Sequence, residues 1–472
     1  MRRSISVIML CLCVMLWGCV PSGSDRLISN ESLPPIYPDY IDVTIPVNIA
    51  PLNFLLRDSV KRVEVYINGK RLCRRNGNEV VFSQREWKRL LRENVGRSIT
   101  VSVRTWQEKQ VVEYAPFHWT VVGDSIDPYL TYRLIEPDYE VFNRITLEER
   151  CVENFKHRPI SDHAHVGNRC MNCHIYGNQN PSLSMFYVRG EGGGAVLNRN
   201  GQLSLLQLKA DGMPSGSVYF AFHPDGNYLV FSINDIIPAF HSTNSRRLEV
   251  YDANSDVYVA SLSEQRIFTS PLLCDSASLE TFPTFSPDGK SIYFCTAKKV
   301  DLPNNLADLQ YHLCKISFDK GMIGTRVDTL HVASTSVCHP RISPDGRYIL
   351  YTTQAYGTFP IWHREADLQL LDLRTGAVDS LDIVNSPLSD TYHSWSSNGR
   401  WFVFASKRDD GLYGKPYFCY LDTAGVAHKP FVLPQKDPQF YDNCLKSFNV
   451  PELGKGMLPF DATDVARLIN GH

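Results

Sequence analysis

Phe222-His-Pro-Asp225-Gly226-Asn-Tyr-Leu-Val-Phe231 combines a tight turn with an alternating strand, and the chain repeats this pattern three times. The further copies are Phe285-Ser-Pro-Asp288-Gly289-Lys-Ser-Ile-Tyr-Phe294, Ile342-Ser-Pro-Asp345-Gly346-Arg-Tyr-Ile-Leu-Tyr351 and Trp395-Ser-Ser-Asn398-Gly399-Arg-Trp-Phe-Val-Phe404. Asp-Gly or Asn-Gly supplies each hairpin turn, and the residues behind it alternate as in a strand. One such hairpin per repeat predicts a β-propeller over residues 185–455, with five or six four-stranded blades around a channel.

The composition fits a mainly β chain with several domains. A length of 472 residues exceeds one average domain, and 43% hydrophobic with 21% charged residues indicates folded structure. The 28 Pro and 29 Gly favour many turns. A net charge of -2 lacks the basic excess of a nucleic-acid-binding protein, so we expect no nucleic-acid partner.

The N-terminus has the pattern of a bacterial lipoprotein. Arg2-Arg3 precede an apolar run from Ile5 to Trp17, which is too short to span a bilayer but typical of a signal-peptide core. Leu16-Trp17-Gly18-Cys19 resembles a lipobox. We therefore expect residues 1–18 to be a removed signal peptide, Cys19 to be lipidated, and residues 19–39 to be a flexible linker. This predicts an envelope protein anchored to the outer membrane and facing the periplasm, with the cell surface as the alternative.

Residues 40–123 predict a β-sandwich-like domain of immunoglobulin type. Several stretches alternate apolar and polar residues, and Asn68-Gly69 is a hairpin signal between two of them. One helix is predicted after Ser83, because Ser83-Gln-Arg-Glu86 has the spacing of a capping box. A similar box, Thr146-Leu-Glu-Glu149, predicts a second helix through Phe155 in the segment that follows.

Cys170-Met-Asn-Cys173-His174 is the most specific motif in the chain. A c-type haem needs two thiols, one for each vinyl group, and a histidine next in line as axial ligand of the iron. The motif predicts one covalent haem, and makes residues 124–184 a short, helical haem-binding segment. Two alternatives stay open: a zinc site that adds His163 or His165, and a redox-active disulfide.

The sixth iron ligand is open at this stage. Met185 lies after the motif, while His163, His165 and His157 lie before it. A protein ligand in that position favours electron transfer, whereas an open iron favours catalysis. Methionine ligation raises the redox potential relative to a second histidine.

Other polar residues give weaker signals. His339 and His393 precede the turns of their repeats, where side chains can face the channel, and His363, Glu365 and Asp367 form a polar group on a connection. We expect mainly structural hydrogen bonds from them. At most one or two disulfides are expected among the remaining cysteines, which are Cys73, Cys151, Cys274, Cys295, Cys314, Cys338, Cys419 and Cys444.

The hairpin phrases resemble TolB-like β-propellers, and other phrases resemble haem-motif lipoproteins of Bacteroides-type bacteria. The second resemblance is carried by Tyr132-Arg-Leu-Ile-Glu-Pro137, Asn168-Arg-Cys-Met-Asn-Cys-His174, Arg189-Gly190 with Gly192 to Gly194, Phe359-Pro-Ile-Trp-His-Arg-Glu-Ala-Asp367, Ser406-Lys-Arg-Asp-Asp-Gly411, Lys429-Pro-Phe-Val-Leu-Pro-Gln435 and Asn449-Val-Pro451. It covers residues 40–455, leaves residues 456–472 as a tail, and implies one haem and an envelope location but no particular reaction.

These observations together predict a membrane-anchored monohaem protein for electron transfer or for docking a redox partner in the envelope. The sequence contains no nucleophile elbow, phosphate loop or zincin motif, which disfavours a conventional enzyme. The alternatives are a haem-assisted periplasmic enzyme with its substrate in the channel, and a non-catalytic interaction scaffold.

Overall fold

The computed structural model describes residues 26–107, 110–136, 144–209, 213, 216–240, 248–331 and 334–471. Over these residues the chain is mainly β, as expected, and its sheets form two groups. The predicted signal peptide and Cys19 lie outside the described residues.

The first group has a seven-stranded and a three-stranded sheet. Its strands are β1 (Arg26–Ser29), β2 (Ile36–Tyr37), β3 (Val43–Pro46), β4 (Phe54–Leu56), β5 (Arg62–Ile67), β6 (Lys70–Asn76), β7 (Glu79–Val80), β8 (Arg97–Trp106), β9 (Gln110–Glu113) and β10 (Phe117–Val122). The order β1-β9-β8-β10-β3 forms the larger sheet, with β5 and β6 joined at β8, and β2-β4-β7 forms the smaller one. The predicted hairpin is confirmed, with Asn68 at φ 48° and Gly69 at φ 78°.

Helix α1 (Gln84–Glu93) begins where the sequence predicts, and it buries Trp87 and Leu91. Ser83 makes no side-chain capping bond, so apolar burial rather than a capping box positions this helix. The linker prediction for residues 19–39 is wrong from Arg26 onward, where the described residues begin. β1 pairs in parallel with β9 and covers what would otherwise be an open sheet edge, and β2 pairs with β4.

The second group consists of six four-stranded antiparallel sheets, numbered I to VI along the chain. Sheet I has β11 (Tyr129–Ile135), β12 (Thr146–Cys151) and β13 (His157–Asp162), and sheet II has β14 (Met171–Gly177), β15 (Asn180–Val188), β16 (Gly194–Arg199) and β17 (Gln202–Leu206). Sheet III has β18 (Ser217–Phe222), β19 (Tyr228–Phe240), β20 (Leu248–Ser261) and β21 (Arg266–Phe268), and sheet IV has β22 (Ser278–Phe285), β23 (Ser291–Lys298), β24 (His312–Asp319) and β25 (Met322–His331). Sheet V has β26 (Ser336–Ile342), β27 (Tyr348–Gln354), β28 (Asp367–Asp372) and β29 (Val378–Asp379), and sheet VI has β30 (Asp390–Trp395), β31 (Trp401–Ser406), β32 (Lys415–Tyr420) and β33 (Phe431–Val432).

The last strand, β34 (Ser447–Gly454), closes the second group into a ring. It pairs antiparallel with β11 and completes sheet I. The first strands of the other sheets contact one another in chain order, from β14 through β18, β22 and β26 to β30, and β34 contacts both β30 and β14. We call these six strands the inner strands. As predicted, the repeated Asp-Gly and Asn-Gly turns join an inner strand to the second strand of the same sheet.

The prediction of a helical segment over residues 124–184 is wrong. Thr146–Cys151 is a strand, because Leu147 and Glu149 turn into the interior instead of forming a capped helix. The Glu149 carboxylate accepts hydrogen bonds from Arg158 Nε at 2.9 Å and from the Leu458 backbone at 2.6 Å. The predicted boundary at residue 185 falls inside β15, and the ring starts at Tyr129.

The remaining elements are short. Three 3-10 turns lie at His163–Val166, Leu306–Asp308 and Pro360–Trp362, and the helices α2 (Phe440–Asn443) and α3 (Ala462–Asn470) follow near the C-terminus. The predicted tail is therefore partly ordered, since α3 packs against β13 and β17.

The two groups of sheets share one hydrophobic core. The Asp127 carboxylate accepts two 2.7 Å hydrogen bonds from Ser397 of sheet VI.

Ring closure gives a stability prediction. Leu453 is fully buried on β34, so Leu453→Ala should lower the free energy of unfolding by about 2–5 kcal/mol in urea titrations. Leu445 lies just before β34 and is 68% exposed, so Leu445→Ala should change it by no more than about 0.5 kcal/mol. Equal effects of the two substitutions would contradict the assigned role of β34.

Candidate functional site

Each inner strand carries one residue in the left-handed backbone region. In every sheet the pairing of the inner strand with the second strand slips at this point, as in a β-bulge. The six residues and their φ angles are Cys173 (54°), Tyr219 (52°), Phe282 (52°), His339 (53°), Tyr392 (50°) and Val450 (50°). This conformation is costly for residues other than glycine, so its sixfold recurrence shows that ring geometry imposes it.

Five of these six residues, all but Phe282, line a central cavity of about 220 Å³. Its lining comes from five of the six sheets and from connections between their strands. The lining residues are Arg133, Asn172, Cys173, His174, Ile175, Arg189, Val218, Tyr219, Phe220, Ile236, His339, Arg341, Phe359, Tyr392, His393 and Val450. Cys173 and His174 of the CxxCH motif are among them. The most specific sequence motif therefore lies at the bulge of an inner strand and lines the central cavity.

Guanidinium groups dominate the charge of this lining. Arg133, Arg189 and Arg341 come from three different sheets, and the lining contains no Asp or Glu among the residues that the structure describes. Burial lowers the pKa of His174 to about 4 and that of His393 to about 3, and it lowers the pKa of His339 as well. The imidazoles are therefore neutral at pH 7, and the arginines give the cavity a positive charge.

The three residues of the predicted haem motif are only partly brought together. Cys173 lines the cavity, where burial raises the pKa of its thiol. His174 is buried, and its Nε2 atom has no hydrogen-bond partner, which leaves this nitrogen available to bind a metal. Cys170 is absent from the cavity lining and packs instead against the apolar cluster that contains Val166 and Met171.

The predicted sixth ligands lie in different surroundings. Met185 is a core residue of β15 and shares a small second cavity with His174. His163 and His165 lie on the 3-10 turn before the motif, outside the central cavity, and His163 Nδ1 is 3.5 Å from the Asp162 carboxylate. His157 is exposed and 3.2 Å from Glu148. His339 and His393 are the histidines that join His174 in the lining, as the sequence suggested for channel-facing positions.

The residues partly fit a covalent haem. An unpartnered imidazole nitrogen, one thiol and two further neutral imidazoles at the same cavity are suitable donors. The volume of about 220 Å³ is below the roughly 300–1,000 Å³ of sites that enclose drug-sized ligands. As folded here, the cavity holds only part of a group as large as haem.

The alternatives based on other cysteine chemistry receive no support from the described residues. Within them, no group of three or more His, Cys, Asp or Glu side chains is placed to hold a metal ion, so the zinc ligands Cys170, Cys173 and His163 or His165 are not assembled. The ten cysteines that the structure describes are all free thiols. Cys295, Cys314, Cys338 and Cys419 are buried as small apolar side chains.

The polar group at His363 has the structural role expected for it. His363 Nδ1 is 3.0 Å from Glu365 and its Nε2 is 3.9 Å from Glu249 on β20, so the group links a connection of sheet V to a strand of sheet III. The sequence reasoning missed Arg133 and Arg341 as site residues. An alignment of the repeats could have found Arg341. It lies two residues after the bulge residue His339, and at the same position sheets II and III have the apolar residues Ile175 and Ala221, so a charged residue there stands out.

Comparisons with known proteins give only distant likenesses. No family model and no curated protein matches the sequence. Solved structures that resemble it include an oligogalacturonate lyase from Vibrio parahaemolyticus (10% identity, 63% of this chain and 78% of that chain, TM-score 0.37) and a DUF4784 family protein from Bacteroides caccae (8%, 75% and 96%, 0.32). A puromycin-hydrolyzing peptidase from Mycobacterium tuberculosis gives 11% identity over 72% of this chain and 52% of that one, with a TM-score of 0.37. These scores are too low to carry any functional statement.

The left-handed bulges predict that glycine is more stable than alanine at a bulge position, which is the reverse of the order at an ordinary strand position. At Val450, with φ 50°, the glycine variant should be more stable than the alanine variant by about 1 kcal/mol, because glycine relieves backbone strain. At Val337, a buried position of β26 without positive φ, the alanine variant should be the more stable by about 0.5–1 kcal/mol. Equilibrium unfolding of the four variants gives both differences. The same order at both positions would contradict the left-handed bulge.

Proposed function

We propose that this chain is a lipid-anchored, c-type monohaem protein of the cell envelope that transfers electrons or docks a redox partner. Its ring of six sheets is, in this proposal, a six-bladed β-propeller of TolB-like type. The observation that carries the proposal is the position of the CxxCH motif. Cys173 and His174 line the central cavity, and the buried His174 Nε2 has no hydrogen-bond partner.

The residues at the cavity would have distinct roles toward the haem. Cys170 and Cys173 would hold the haem through thioether bonds, and His174 would bind its iron. The bound haem would supply one-electron exchange. His339 and His393 join Met185, His163 and His165 as candidates for the sixth ligand, because both are neutral imidazoles at the same cavity.

The surroundings of Cys170 set a condition on this proposal. Since Cys170 packs outside the cavity lining, double attachment requires the start of β14 to rearrange when the haem is inserted. An enzyme that binds a substrate in the channel, or a scaffold without a cofactor, stays the alternative if attachment does not occur.

Haem attachment is tested on protein matured in a host that attaches haem in the periplasm. Intact mass should exceed that of the mature apoprotein by roughly 616 Da, and pyridine haemochrome spectra should give one haem per chain. Cys170→Ala and Cys173→Ala should each abolish double attachment, whereas Cys274→Ala, at a half-buried thiol outside the motif, should leave it intact. Colourless protein with free thiols at both positions would overturn the proposal.

The anchor has a separate test. No helix among the described residues is long and apolar enough to cross a membrane. We expect Cys19→Ser to release the protein from the membrane fraction into the soluble fraction, because the lipid is the proposed attachment. Cys73→Ser is the control, since Cys73 is buried in the first group of sheets and distant from the lipobox in sequence. Unchanged sedimentation of Cys19→Ser with membranes would rule out anchoring through this cysteine.

A further inference from the structure

We propose that Arg133, Arg189 and Arg341 form a binding site for small carboxylate anions in the central cavity. Arg133 lies on β11, Arg341 lies on β26, and Arg189 directly follows β15. Sheets I, II and V thus each contribute one guanidinium to the same space.

The three guanidiniums lack carboxylate partners. None of them forms an ion pair within 4.0 Å with an Asp or Glu of the described residues, and the Arg133 Nε atom is buried without a hydrogen-bond partner. Arg189 Nε and Nη2 both approach the Asn172 side-chain amide at 3.2 Å, and this amide can accept from them. Arg133 and Arg341 are half-buried, and Arg189 is exposed. Guanidiniums that converge without a carboxylate partner favour a bound anion, because charge-assisted hydrogen bonds to a carboxylate are strong and can be bidentate.

The nearby acidic groups do not replace such an anion. Glu452 is buried beside the cavity, and burial raises the pKa of its carboxyl to about 7, although Arg341 opposes this shift. Asp252, close to Tyr219, also has a pKa raised to about 7 by burial, and it accepts a 3.1 Å hydrogen bond from Thr358. Neither carboxyl group belongs to the cavity lining.

The uncharged lining also suits an acceptor-rich ligand. Tyr219 and Tyr392 also line the cavity, and their phenol groups are hydroxyl donors. Together with the guanidiniums they make the cavity rich in hydrogen-bond donors. A volume of about 220 Å³ suits a small dicarboxylate better than a long chain.

The carboxylates could come from two sources. One is a free metabolite-sized acid, which requires no haem. The other is the pair of propionate groups of the haem proposed above, and this arm alone rests on that proposed function. The same guanidiniums serve both sources, so the full-length chain should be measured in haem-free and haem-loaded forms.

In the haem-free form, calorimetric titration uses succinate as the probe and neutral succinamide as its control. We expect succinate to bind, succinamide not to bind, and Arg341→Gln to weaken succinate binding about tenfold or more. Arg341→Lys should retain part of the affinity because it keeps the charge but loses the planar fork. Arg326→Gln, at an 86% exposed side chain on β25, should leave binding unchanged. Thermal unfolding of each variant shows that it is folded.

In the haem-loaded form, the readout is the midpoint potential from a redox titration. Removing a positive charge beside haem carboxylates should lower the potential in Arg341→Gln relative to Arg326→Gln. Succinate binding supports the free anion as the source, and a potential shift without succinate binding supports the propionates. If folded Arg341→Gln changes neither quantity, the anion site is overturned. A chain that acquires no haem defeats the proposed cofactor, and the succinate titration still decides the anion site.

Discussion

The pairing of β34 with β11 is the constraint on which the rest of the ring depends. It joins the last strand to a strand more than three hundred residues earlier, and it places β34 in contact with β30 of sheet VI and β14 of sheet II. With the ring closed, six inner strands must converge, and each accommodates this through a slipped pairing and one left-handed residue. Five of the six left-handed residues, all but Phe282, line the central cavity.

This dependence explains why the sequence predicted some features and not others. The hairpins at Asp225-Gly226 and Asn68-Gly69 could be predicted because the turn residues and the alternating strands are adjacent in the chain. The strand at Thr146–Cys151 could not, because its Thr-x-x-Glu spacing is equally compatible with a helix cap. Only the tertiary hydrogen bonds from Arg158, on the next strand, and from the distant Leu458 show Glu149 to be an interior acceptor. Convergence of Arg133 and Arg341 depends on closure, which no local pattern encodes.

The position of the CxxCH motif depends on the same closed ring of inner strands. Where sheets III, IV and VI have Tyr219, Phe282 and Tyr392 at the bulge, sheet II has Cys173, followed by His174. The ring therefore directs a thiol toward the cavity and buries the neighbouring imidazole, among neutral histidines and uncompensated guanidiniums. A strand that rearranges at Cys170 could complete a covalent site there, with the arginines available to carboxylate groups.

The central claim is that iron is bound at His174 in this cavity. The most direct measurement is a crystal structure of the full-length chain, matured in a haem-attaching host, with anomalous data collected at the iron absorption edge. One anomalous peak within bonding distance of His174 Nε2, with density continuous from both Cys170 and Cys173, is the expected result. An absent peak, a peak away from the inner strands, or two free thiols beside an empty iron map would contradict the claim.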